Sequence, residues 1–179
     1  MKSVSFLKAL LTGSAIVALA GQGAALEDES APSPDNQETP RKPVEDLGPG
    51  YRSEEVTFKA GNVAAKAYLA LPAKKVPGPY PGILVCPEWW GHNDYVRMRA
   101  EMLAELGYAA LAMDVYGNGQ KAHDPKTALK MDGSLKANQR EMNARVLAHL
   151  KFLRGRPEVD GTKIAAIGYG SGGDVCLQM

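Results

Sequence analysis

The chain has 179 residues, 45% of them apolar, which suits one domain with a real core. Lys and Arg (21) nearly balance Asp and Glu (20), and no basic run stands out, so a nucleic-acid partner is excluded from the expectation. The two cysteines, Cys86 and Cys176, show neither a CxxC nor metal-ligand spacing.

In chain order, the first segment reads as a signal peptide over residues 1–25. Lys2 and Lys8 flank an apolar run that includes Ile16-Val17-Ala18-Leu19-Ala20, with small-residue exits at Ala18-Leu19-Ala20 or Gly23-Ala24-Ala25. The run is short and broken by glycine, so a stable membrane span is not expected, although a retained N-terminal anchor is the alternative. The expectation is an exported protein, periplasmic or secreted. Residues 26–50 read as a linker. They carry Pro32, Pro34, Pro40, Pro43 and Pro49, several acids and almost no aliphatic side chains, too little to offset the entropy of ordering.

A domain is expected over 51–179. Val56-Thr57-Phe58 and Ala67 to Leu71 alternate as half-buried strands around Gly61-Asn62, which predicts a hairpin. Gly82 to Cys86 is a continuous apolar run, as in a strand covered on both faces. Asn93 or Asp94 can cap a helix carrying Met98, Met102 and Leu103 and stopping at Gly107. Tyr108 to Met113 predicts a second buried strand ending at Asp114. Leu135 to Arg154 predicts one long amphipathic helix with Met142, Val146, Leu150 and Leu153 on one side, stopped by Gly155 and Pro157. Lys163 to Ile167 is the last expected strand. A hairpin followed by alternating strands and helices predicts a mainly parallel sheet with flanking helices. Ligands then bind beyond the carboxyl ends of the strands, at 87–91, 115–119 and 168–173.

The last of these segments carries the clearest signal. Ile167-Gly168-Tyr169-Gly170-Ser171-Gly172-Gly173 has the small residues of a nucleophile elbow, a strand-to-helix turn with the nucleophile at its apex. Together with Glu88-Trp89-Trp90-Gly91, Asn93-Asp94-Tyr95 and Asp114-Val115-Tyr116-Gly117, it resembles the dienelactone hydrolase family of α/β-hydrolases. The resemblance implies an α/β-hydrolase fold, no cofactor and no metal, and hydrolysis of a small-molecule ester or lactone. It places Glu88 at the glutamate that holds the resting nucleophile. The N–H groups of Trp89 and Ser171 fall at the oxyanion hole, and Gly170 falls at the nucleophile position, where the family usually has Cys. Pro87 departs from the family pattern, which usually has His there. Asn118 falls near the position where some members place a substrate-binding arginine. The acid and histidine that follow the nucleophile in this fold have no place before Met179, so the domain is expected to be incomplete, and this chain impaired. The alternatives are a non-catalytic exported binding protein and a truncated gene product. An ending at Met179 would also leave the last strand as an exposed, apolar edge.

The remaining candidates each have a plainer reading. Trp90 and Tyr116 can line the substrate pocket or only pack beside it. Ser171 can be a substitute nucleophile, although Tyr169 two residues before it is too large for an elbow, and the start of the helix is the better reading. His92 can be an improvised base near the pocket mouth. His123 falls in a loop, and His149 reads as a surface or helix-packing residue. Cys86 and Cys176 read as buried small hydrophobes rather than a disulfide.

Overall fold

The computed structural model describes residues 50–178; the signal-peptide reading and nearly all of the linker reading lie outside them. The elements are β1 (Tyr51–Ala60), β2 (Val63–Pro72), β3 (Tyr80–Cys86), α1 (Asp94–Glu105), β4 (Ala109–Ala112), α2 (Pro125–Ala137), α3 (Gln139–Arg154), β5 (Val159–Gly168) and α4 (Ser171–Leu177). One five-stranded sheet runs in the order β1-β2-β4-β3-β5.

The expected hairpin is β1 and β2, paired from Tyr51↔Pro72 to Ala60↔Val63. Its two-residue turn needs a left-handed residue, and Gly61 supplies it at φ 61°. β2 also pairs antiparallel with β4, whereas β4, β3 and β5 are parallel neighbours. The sheet is therefore mixed. Its parallel part is the β4-β3-β5 core that strand–helix alternation predicts, and the hairpin extends it with two antiparallel pairings. β5 stands at one end of the described sheet.

Helices cover both faces. On one, α1 buries Val96, Ala100 and Ala104 against Ala70, Val85, Ala110 and Ala112. On the other, α3 buries Met142, Val146 and Leu153 in a larger core with Leu69, Leu71, Leu84, Leu111 and Met113. Helix α1 forms as expected, and the long helix does not. α1 is capped by Asn93, whose Oδ1 accepts from Val96 N–H at 3.2 Å, but it turns its small residues inward and leaves Met98 and Met102 exposed. Alanine facing alanine lets the helix sit close to the sheet, and a methionine there would hold it off. The long helix expected from Leu135 is in fact two, α2 and α3, divided at Asn138. That residue's backbone is non-helical (φ −114°, ψ 70°), and its side chain caps α3 by accepting from Glu141 N–H.

Candidate active site

The site is built where β3 and β5 end side by side, Cys86 pairing with Gly168. Beyond β3 the chain turns through Glu88 to Gly91, closed by Gly91 N–H donating to Glu88 O at 3.0 Å. Beyond β5 it reverses into α4. The tightness of that reversal comes from two glycines. A Cβ on Gly168 would run into the backbone of Gly172 and Gly173, and a Cβ on Gly172 would lie 2.6 Å from Cys86 O and closer still to Pro87 O. Strand, turn and helix thus touch backbone to backbone, which no larger residue permits.

Gly170 is a different case. It holds φ 51°, ψ −123°, the strained conformation of an elbow apex, and it is exposed. Among the described residues, and apart from its chain neighbours, a Cβ built there meets only Glu88 Cγ, at 3.8 Å. A side chain at this position would project into open space beside Glu88. The apex is therefore sterically able to carry a nucleophile and carries none.

A cleft of about 350 Å³ opens at this point, lined by Glu88, Trp89, Gly170, Ser171 and Asp174. The structure thus brings together Glu88, Trp89, Gly170 and Ser171, four of the residues singled out from sequence. Ser171 is the first residue of α4, and neither its N–H nor that of Trp89 donates to an acceptor among the described residues. Two unengaged amides lining one cleft are what an oxyanion requires. Asp174 was missed by the sequence reading. Its signal was its spacing, one helical turn beyond Gly170, and it pairs with Lys136 at 2.8 Å.

Other candidates lie apart from the cleft. Trp90 packs edge-on against Trp89 at 5.3 Å between ring centroids. Tyr116 is buried behind the loop and donates its hydroxyl to Trp89 O at 2.9 Å, so it supports the loop from the core side. Burial raises its phenol pKa. Asn118 is exposed at φ 57°, with its N–H bonded to Ala64 O, because its loop is tied back to β2.

None of the three histidines lines the cleft. His92 is 4% exposed rather than at a pocket mouth, with Nδ1 3.3 Å from Met113 O and Nε2 without a partner among the described residues. Burial first, then the nearby Arg97 cation, lowers its pKa, so the neutral ring donates through Nδ1. His149, expected at the surface or packing a helix, is fully buried. Its Nδ1 faces Arg145 O at 2.8 Å, and its Nε2 accepts from Asp114 N–H at 3.1 Å. Burial lowers its pKa to about 4.

Two supports hold the cleft in place. Arg99 of α1 donates to Tyr95 Oη at 3.0 Å and lies over the rings of Tyr95 and Tyr169, at 5.1 and 4.8 Å, which fixes the residue before the apex. Asp114 sits at the end of β4 with no exposure. Its carboxylate accepts from Lys66 N–H (2.9 Å), Gly117 N–H (2.8 Å) and Gly119 N–H (2.7 Å). A larger cleft of about 440 Å³ lies between the hairpin turn, α2 and α3, but its central cation is already engaged. Arg145 donates to Val115 O, Tyr116 O, Glu141 and Asn62.

A parallel strand core, a strained apex between strand and helix, and a glutamate and two free amides around it define an α/β-hydrolase. The model of the dienelactone hydrolase family matches residues 65–179, and the chain belongs to that family. It is 32% identical over 134 residues to acyl-coenzyme A thioesterase 1 of Rattus norvegicus, covering 74% of this chain and 27% of that one. Among solved structures, m3DLH is similar at 34% identity and a TM-score of 0.69, over 72% of this chain and 53% of that one. A dienelactone hydrolase-like promiscuous phosphotriesterase from metagenomic libraries is similar at 34% identity and a TM-score of 0.68, with the same coverage. The chain thus spans about half the length of those two structures and about a quarter of the thioesterase.

Proposed function

We propose that the protein is an exported hydrolase of the dienelactone hydrolase type, shaped for acyl transfer from small esters or lactones and disabled in this chain at the nucleophile. The single observation that carries this reading is Gly170: an apex in elbow conformation, open to solvent, facing Glu88 and lacking a side chain. Trp89 and Ser171 would supply oxyanion donors from the backbone, and Glu88 would hold the proton of a resting nucleophile. The thioesterase and phosphotriesterase relatives support an activated ester as the probe substrate. Export rests on the basic and apolar pattern of residues 1–25, and fractionation of cells making the full chain tests it.

A second reading, a non-catalytic binding protein, is favoured by the same glycine, since the cleft persists without the nucleophile. One experiment separates the two. The unaltered chain should hydrolyse an activated aryl ester no faster than buffer. Gly170→Cys should become labelled by iodoacetamide at residue 170 while Cys86 and Cys176, both fully buried, stay unlabelled in the native state. Ester turnover or a stable acyl adduct on that cysteine supports the hydrolase reading. Labelling without any acylation, together with quenching of Trp89 and Trp90 fluorescence by the intact ester, supports the binding reading. Hydrolysis by the unaltered chain that Ser171→Ala abolishes would make Ser171 the nucleophile and overturn the assignment of the apex.

A further inference from the structure

At the elbow apex, a Cβ on Gly170 would stand 3.8 Å from Glu88 Cγ, and the apex itself is exposed. The cleft of about 350 Å³ around it is lined by two carboxylates, Glu88 and Asp174, and by Trp89 and Ser171. Asp174 is held in an ion pair by Lys136 at 2.8 Å, so Glu88 is the proton acceptor beside the apex. Among the described residues, the lining includes no thiol and no histidine.

We infer that the open apex at Gly170 accepts a small thiol from solution and that the cleft transfers an acyl group to it, converting an ester into a thioester. The inference rests on the acyl-transfer reading above and names the acceptor. A thiol is chosen by what the cleft offers as a base. A free thiol has a pKa of about 8.5 and is already roughly a few per cent thiolate near neutral pH, whereas water, at about 15.7, needs a far stronger base than a carboxylate. Among nucleophiles small enough for the apex, a thiol therefore asks the least of Glu88. The chemistry balances. The thiol S–H donates to the Glu88 carboxylate, and the sulfur adds to the acyl carbon as that proton moves to Glu88. The carbonyl oxygen takes the electron pair of the C=O π bond and becomes the oxyanion beside the Trp89 and Ser171 N–H groups. When the π bond re-forms, the ester C–O bond breaks, and the leaving oxygen takes the proton from Glu88. One ester and one thiol become one thioester and one alcohol or phenol, with no change of oxidation state.

The test gives the full chain 4-nitrophenyl acetate with 2-mercaptoethanol, and separately with ethylene glycol, and compares each with the same mixture lacking protein. With the thiol, nitrophenol release should exceed the protein-free rate at least about tenfold, saturate with thiol, and yield the S-acetyl product by mass spectrometry. Ethylene glycol should add nothing. Gly170→Ala places a methyl group where the sulfur must sit, and should abolish the acceleration. Glu88→Gln should lose it at pH 7 and regain it toward pH 9.5, where the thiol ionises without help, a recovery that a merely structural role would not produce. No acceleration above the protein-free rate, or one that persists in both variants, would overturn the inference. Gly170→Cys in thiol-free buffer separates this failure from that of the underlying reading. Acylation of that variant beside an unaltered chain that ignores thiol sinks the acceptor alone; absence of both sinks the two together.

Discussion

Asp114 shows how much one buried side chain can organise. It takes three backbone N–H groups, from β2 and from both glycines of the loop that follows β4, while its own N–H is held by His149. Replacing it with Ala would leave all three donors without an acceptor, the Gly117 N–H buried and the other two part-buried, each a cost of up to about 1–3 kcal/mol before relaxation. Asp114→Ala is expected to lose at least about 3 kcal/mol in urea unfolding. Asp114→Asn, which places an NH₂ group where an oxygen accepted, should fall between it and the unaltered chain. The sequence marked Asp114 only as the end of a strand. Its role depends on partners 48 residues away in β2, which no local pattern records. His149 was hidden for the same reason. On α3 it sits at the spacing of Met142, Val146 and Leu153, and only the Asp114 amide explains a polar residue on that face. By contrast, the elbow was legible because its glycines answer a local steric demand that the sequence states directly.

Among the elements, the elbow distinguishes glycines that look alike in sequence. Gly172 and Gly173 both read as clearance for an apex side chain, but their surroundings differ. A Cβ on Gly173 would meet nothing nearer than Gly168 O at 3.8 Å, whereas one on Gly172 would collide with the end of β3. Gly173→Ala should therefore be close to neutral in stability, with the gain in helix propensity roughly offsetting any adjustment. Gly172→Ala should cost more than about 3 kcal/mol or prevent folding, because backbone rather than a flexible side chain blocks it. Comparable urea midpoints for the two variants would show that α4 can move off β3. The hairpin, the Asn93 cap and the buried strands were likewise legible, since each follows from a turn residue, a capping residue or an apolar run. The break between α2 and α3 was not, because the apolar spacing runs on through Asn138. Which face of α1 turns inward was not read from the sequence, and size rather than hydrophobicity chose it.

Across the whole molecule, two buried neutral histidines make stability depend on pH. Both His92 and His149 have pKa values below those of exposed imidazoles, chiefly through burial. Between the unfolded value near 6.5 and the folded value, the unfolded chain holds more protons than the native one. Stability is thus fully present above about pH 6.5 and declines as pH falls toward about 4, the value for His149. That residue alone should account for on the order of 3 kcal/mol across this window. Urea midpoints measured from pH 7.5 down to 4.5 should fall steadily, and His149→Gln should flatten the slope even if it lowers the plateau. A His149→Gln slope equal to that of the unaltered chain would place the effect elsewhere.

The cradle around Asp114 also bears on how the molecule opens. Gly117 and Gly119 lie in a loop between β4 and α2, outside any strand ladder, and the loop's Asn118 N–H is bonded to Ala64 O in β2. Amides in loops normally trade hydrogen with solvent within seconds to minutes, unlike those in a core. Here Lys66, Gly117 and Gly119 share one buried acceptor, so none can be released without exposing a carboxylate that the other two still hold. Their hydrogens should exchange at a common slow rate, matching the central ladder of β3 and β4 rather than the neighbouring loop. The loop beside the candidate site would then open only when the sheet does, as part of one cooperative unit.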